Sequence, residues 1–295
     1  MRKSRILEED DALDLIESGM TVSIGGHLNS AHPMLLIRGM IRRGLHDLTI
    51  VTSAQGGPEI GFLIAAGCVR KLITSGVHAE SLAAIDPCYR YAAQSGVVEI
   101  WEADEGICYA GLRAAAQGLP FTVWHGGVGT SIPDLNPDLK VIEDPFTGKP
   151  ILAVPAIKPD VAILHAACAD EYGNVQHIHG WGDRAHYRAA DKTIVQVEKI
   201  VANEDIRRDP SRTSIIGADV IVRAPFGAHP FASPGHYLED REFIGEYVST
   251  ASQAHKTGEM APLDTFVKER FASPGNHVEY LENIGLRRLL SLHEY

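Results

Sequence analysis

Acid–base chemistry needs a carboxylate held at the edge of a fold, and Glu105 is the clearest candidate. The stretch 97–105 reads VVEIWEADE: five residues of strand character run out into Glu102, Asp104 and Glu105, and an alanine-rich helical pattern begins near Gly106. In open α/β folds the ends of strands are where ligands bind. A carboxylate there can serve as a general base or a covalent nucleophile, and a helix N-terminus favours its ionised form. Acidic side chains also favour the first turn of any helix, so the local sequence leaves a catalytic and a structural reading open.

Two glycine-rich turns are candidates for binding a carbonyl or an anion. In TVSIGGHLNSAHP an apolar run ends in Gly25, Gly26 and His27, with Asn29 two residues on and a helical pattern after Pro33. Paired glycines let a ligand approach the backbone, and the helix start offers free N–H groups. A tight strand-to-helix turn without a ligand would read the same way. In HGGVGTSIP, Gly127 and Gly129 could supply backbone donors to a thioester or phosphate oxygen; neither GK[ST] nor GxGxxG is present. His177 and His179 alternate as on a strand, with Asp170, Glu171 and His186 near in sequence. Such a group suits a metal, but loop histidines more often hydrogen-bond locally, and no metal is expected. Arg207–Arg208 and Arg287–Arg288 read as solvated faces. No GxSxG marks a serine nucleophile.

The elements that must position these groups alternate. Strands are expected at 20–25, 47–52, 69–74, 97–101, 160–165, 192–198 and 219–223, and helices near 33–43, 57–66, 80–94, 106–118 and 183–189. Strand–helix repetition implies a mostly parallel sheet with helices on both faces. Residues 125–158, rich in Gly, Pro and Asp, read as a loop-and-hairpin excursion with short antiparallel strands around 141–142 and 151–152. After 224 an irregular stretch leads into helical patterns, a tail expected to pack on the sheet or on a partner. The whole reads as one α/β domain with 224–295 as its loop and helical extension.

The bulk numbers narrow the class. The chain has 295 residues, 45% of them hydrophobic, and a net charge of −11. Such acidity disfavours nonspecific nucleic-acid binding, yet a few local arginines would suffice for an anionic substrate. No apolar run is long enough to span a bilayer, and no apolar core follows the basic N-terminal residues. Cys68, Cys88, Cys108 and Cys168 lie far apart, as reduced thiols do rather than a disulfide framework or zinc site. A cytoplasmic location is expected, with no membrane or nucleic-acid partner.

Several segments together carry a resemblance: TVSIGGH at 21–27, DLTIVTSAQGG at 47–57, AAAQGLPF at 114–121, the GT of GGVGT, DEYGN at 170–174 and, most specifically, APFGAHPFASPGHYLEDREFIGEY at 224–247. The chain resembles the α subunits of class I coenzyme A transferases, in particular the glutaconate branch. Within it, GGHLNSAHPM and WEADEG are similar to the steroid ring-cleaving hydrolases of the same fold. The resemblance implies an open α/β fold, a separately encoded β subunit in an α2β2 assembly, an acyl-coenzyme A substrate, and no cofactor beyond the coenzyme A of that substrate. It implies that Glu105 is the acid/base glutamate. The transferases' nucleophilic glutamate lies in an SENG-like motif that this chain lacks, as any α subunit would, so a transferase remains the alternative. A ligand sensor or sugar-phosphate isomerase on a related fold is a more distant one.

Overall fold

The computed structural model describes residues 3–52, 55–177 and 183–293. Helix α1 (Glu9–Leu13) precedes β1 (Thr21–Ile24), α2 (Met34–Arg42), β2 (Leu48–Thr52), α3 (Pro58–Ala65), β3 (Val69–Thr74), α4 (Pro87–Ser95), β4 (Glu99–Glu102) and α5 (Glu105–Ala116). The excursion follows, with β5 (Phe121–Trp124), α6 (Ile132–Leu135), β6 (Lys140–Glu143) and β7 (Pro150–Pro155). The chain re-enters the main sheet with β8 (Val161–Ala169), β9 (Val175–Gln176), α7 (Asp183–Ala189), β10 (Lys192–Ile200), α8 (Asn203–Arg208), β11 (Thr213–Ile215) and β12 (Val220–Arg223). Helices α9 (Arg241–Thr257), α10 (Ala261–Val267), α11 (His277–Ile284) and α12 (Leu286–Ser291) complete it.

The strands β4, β3, β2, β1, β8, β10 and β12 lie side by side and are parallel throughout. The short β9 and β11 add antiparallel pairing at the end of β8. This is the expected open, mostly parallel sheet. All five residues of β2 are buried, as a strand covered on both faces requires. Alternation then deals side chains to the two sides. Ile50 and Leu72 join the core beneath α2, α3 and α4, while Val51, Ile73 and Trp101 join that beneath α5 and the small sheet.

The excursion is a three-stranded antiparallel sheet, β5–β7–β6. Val141 pairs with Leu152 and Ile142 with Ile151, the two sites that the apolar spacing picks out. Its third strand, FTVW, is too short and too exposed to signal itself. The helix expected over 80–94 begins only at Pro87, because the Asp86 carboxylate accepts from the N–H groups of Cys88 (2.9 Å) and Tyr89 (3.0 Å) and fixes the start there.

The helical tail packs on the helices rather than directly on the sheet. Phe243, Tyr247, Phe266 and Phe271 sit in the same buried cluster as the α2 and α3 side chains, with Phe62 of α3 4.6 Å from the Tyr247 ring and 4.7 Å from that of Phe271. Arg288 is no solvated residue: its guanidinium grips both oxygens of the buried Asp240 (2.6 and 2.5 Å), the residue that caps α9. The four cysteines are free thiols, and burial pushes Cys68 and Cys108 up to about 12. Among the described residues, no helix is long and apolar enough to cross a membrane.

Asp86 yields a test of this packing. It is fully buried beneath Tyr247, whose hydroxyl donates to it at 3.0 Å, and burial raises its carboxyl to about 7. A folded-state value above the unfolded one means that its contribution is complete in acid and is lost as pH rises through about 7. Asp86→Asn keeps a capping oxygen and removes the charge. Thermal unfolding should therefore show the variant gaining on the wild type between about pH 5 and about pH 8. A melting difference that does not change with pH contradicts the buried-acid assignment.

Candidate active site

Helix α5 presents one face at the spacing of its turns: Glu105, Tyr109, Arg113 and then Ala116 and Gln117. Helix α7 packs against α5 and supplies Arg184, Ala185 and Arg188. His27, from the turn after β1, and Gln55, after β2, join them around a cleft of about 590 Å³. Glu105 is the first residue of α5 and is exposed to this space. Its neighbour Asp104 has a different task, accepting from the Ile107 N–H at 2.7 Å as the helix cap. Glu102 does not line the cleft, so of the acidic trio only Glu105 does.

His27 is half-buried. Desolvation lowers its pKa, opposed by the charges of Glu105 and Glu80. The imidazole is therefore neutral at neutral pH and stands in the field of the Glu105 carboxylate.

The Gly25–Gly26 turn departs from expectation. Its amides are spent inside the protein: Gly25 N–H donates to the Ile163 carbonyl (3.0 Å), Gly26 N–H to Asp183 (3.3 Å) and His27 N–H to the Ser30 carbonyl (2.9 Å). A Cβ at Gly25 would lie 2.5 Å from both Asp183 Oδ1 and Leu164 Cδ2, and one at Gly26 2.6 Å from His32 Nδ1. These glycines make room for their own protein's atoms. Asn29 is buried, and its carboxamide has no hydrogen-bond partner among the described residues; it does not line the cleft. Nor do Gly127 and Gly129. Their loop packs beside the first turn of α5, where a Cβ on Gly127 would be 3.2 Å from Ile107.

Of the histidine group, His177 and His186 are buried in the core. His177 Nε2 lies 2.8 Å from Asp183 and its Nδ1 2.5 Å from the Ser214 hydroxyl. His186 is paired with the Ser23 hydroxyl, and burial lowers it to about 4. Burial works to raise Asp183, but the His177 hydrogen bond and charge outweigh it and hold the carboxylate below its usual range. His179 lies outside the described residues. Asp170 organises the DEYGN turn, accepting from the N–H groups of Tyr172 and Asn174, each at 2.9 Å. Among the described residues no group of histidine, cysteine and carboxylate side chains is arranged to hold a metal.

A family model described as coenzyme A transferase matches residues 7–224. This chain belongs to the coenzyme A transferase family. It is 34% identical over 255 residues to the IpdA subunit of the cholesterol ring-cleaving hydrolase of Mycobacterium tuberculosis, covering 82% of this chain and 87% of that one. It is 32% identical over 312 residues to one subunit of the glutaconate CoA-transferase of Acidaminococcus fermentans, covering 98% and 94%. The crystal structure of glutaconate coenzyme A-transferase from that organism superposes with a TM-score of 0.92 at 29% identity, over 99% of this chain and 96% of that one. Both the family and the fold expected from the motifs are thereby borne out.

The transferase fold explains why the cleft forms at the strand ends, and also which of its residues went unread. Tyr109, Arg113, Arg184 and Arg188 line it but carry no motif of their own, and Gln55 lies in the DLTIVTSAQGG segment without any role read for it. The one signal in the sequence was the step of four from Glu105 through Tyr109 to Arg113, and again from Arg184 to Arg188. Its meaning depends on α5 meeting α7, which local sequence does not state.

Proposed function

We propose that this chain is the α subunit of a two-subunit cytoplasmic hydrolase, assembled as α2β2, that opens the last ring of a steroid carried as a cyclohexenone-carboxyl coenzyme A thioester. The observation that carries this reading is Glu105 exposed in a cleft beside a neutral His27. Similarity to a ring-cleaving hydrolase subunit supports the choice of reaction. The Glu105 carboxylate takes a proton from water, and the hydroxide adds to the ring ketone carbon. His27 donates its N–H to the ketone oxygen. The bond from that carbon to the carbon α to the thioester then breaks, its electron pair passing into a thioester enolate. Glu105 returns the proton to the α-carbon. One water is consumed, the ketone carbon becomes a carboxylic acid, and the thioester stays intact. Coenzyme A enters as part of the substrate, and no further cofactor takes part.

The likeness to glutaconate CoA-transferase favours a second reading, transfer of coenzyme A between acids. The test is to coexpress the chain with its β subunit and supply the cyclic thioester in heavy-oxygen water. Ring opening adds one labelled water to the thioester by mass spectrometry, and the α chain alone gives no product. Release of the acyl group to a second acid, with a new coenzyme A ester and no ring opening, establishes the transferase instead.

A further inference from the structure

Three guanidinium groups converge on the cleft, and the mechanism above uses none of them. Arg113 follows Glu105 by two turns of α5, about 12 Å along its axis, while Arg184 and Arg188 face it from α7. All three are exposed, and none forms an ion pair with a described residue. Several arginines elsewhere form ion pairs, as Arg42 does with Glu9 (2.8 Å) and Arg43 with Asp14 (2.7 Å). Like charges four residues apart weaken a helix, and Arg184 stands in the first turn of α7, where the helix dipole disfavours a cation. In a chain of net charge −11, three converging cations create a local positive field that draws in an anion.

We propose that Arg113, Arg184 and Arg188 form a subsite for an oxyanion group, a carboxylate or a phosphate, carried by the thioester ligand away from its reacting carbon. The inference rests on the thioester reading of the cleft. Guanidinium forks match carboxylate and phosphate oxygens in paired hydrogen bonds. The Glu105 carboxylate repels an anion at the reacting end, so the group must lie toward the far end of the cleft, where the arginines are. Between the two ends lies Tyr109, with the Arg113 guanidinium 5.8 Å from its ring centre. The anion has two chemical sources: a carboxylate on the acyl group, or the phosphates of coenzyme A.

The test uses the α–β complex and four ligands: cyclic acyl-coenzyme A thioesters with and without a remote carboxylate, and the matching pantetheine thioesters, which lack the phosphates. Arg113→Gln, Arg184→Gln and Arg188→Gln are compared with the wild type by titration calorimetry. Each should weaken binding of the recognised ligand roughly tenfold, the scale of one charge-assisted hydrogen bond, with Arg→Lys recovering part of the loss. If the loss vanishes when the acyl carboxylate is removed, that carboxylate is the group bound; if it vanishes with the pantetheine esters, the phosphates are. Wild-type binding with variants unchanged on all four ligands overturns the subsite, as does an equal loss on the ligand that has neither anion. Failure of the wild type to bind any of the four overturns the thioester reading itself.

Discussion

Glu105→Gln should lower turnover of the α–β complex by roughly a hundredfold or more, the scale of general acid–base catalysis, with substrate affinity nearly unchanged. Glutamine keeps the size and polarity of the side chain but cannot take a proton from water. The substitution should leave the fold intact, because Glu105 is exposed and the cap of α5 is supplied by Asp104 through its bond to the Ile107 N–H. The two neighbours thus separate cleanly. Asp104→Ala should cost stability of about 1 kcal/mol, as loss of a helix cap does, with a far smaller effect on rate than Glu105→Gln. Single-turnover rates and melting temperatures of the two variants decide the matter. A Glu105→Gln complex that folds, binds and turns over at the wild-type rate would leave Glu105 as nothing more than a first-turn acid favoured by the helix dipole.

The sheet was legible because its strands are short runs rich in β-branched and apolar residues: TVSI, LTIVT and VRKLIT are strands where the pattern puts them. The start of α4 was misplaced because the loop before Pro87 has helix-compatible residues, and only the Asp86 cap sets the boundary. Glu105 could be read because strand, carboxylate and helix are consecutive in the chain. The arginines opposite it could not, since they matter only once α5 and α7 meet. Arg288 was misread for a related reason: its partner Asp240 belongs to the start of α9, and nothing in LRRLLS indicates that pairing. The glycine turn shows the limit most sharply. Two glycines announce a close approach without saying by what, and what approaches Gly26 is Asp183, 157 residues further along the chain.

Gly26→Val should therefore destabilise the protein substantially rather than merely block its substrate. Gly26 has φ +96°, a region where a β-branched side chain is strongly disfavoured. An added Cβ would lie 2.6 Å from His32 Nδ1 and 2.8 Å from the carbonyl oxygens of Ala31 and Ser30. None of these can retreat easily. The His32 ring is buried and held between the Gly25 carbonyl (3.1 Å) and the Leu28 carbonyl (2.7 Å), with Glu59 3.3 Å from its Nδ1. Overpacking of this kind costs about 1–3 kcal/mol, and the left-handed backbone adds roughly 1–2 kcal/mol, against a total stability of about 5–15 kcal/mol for a typical domain. Gly129→Ala is the control: φ is +80°, but nothing lies within 4 Å of the new Cβ, so only the backbone term applies. Urea unfolding should place Gly26→Val well below Gly129→Ala, and both below the wild type. If Gly26→Val instead unfolds at the wild-type midpoint and fails only to bind the thioester, the turn is a ligand contact and its closure against Asp183 and His32 is not what the glycine is for.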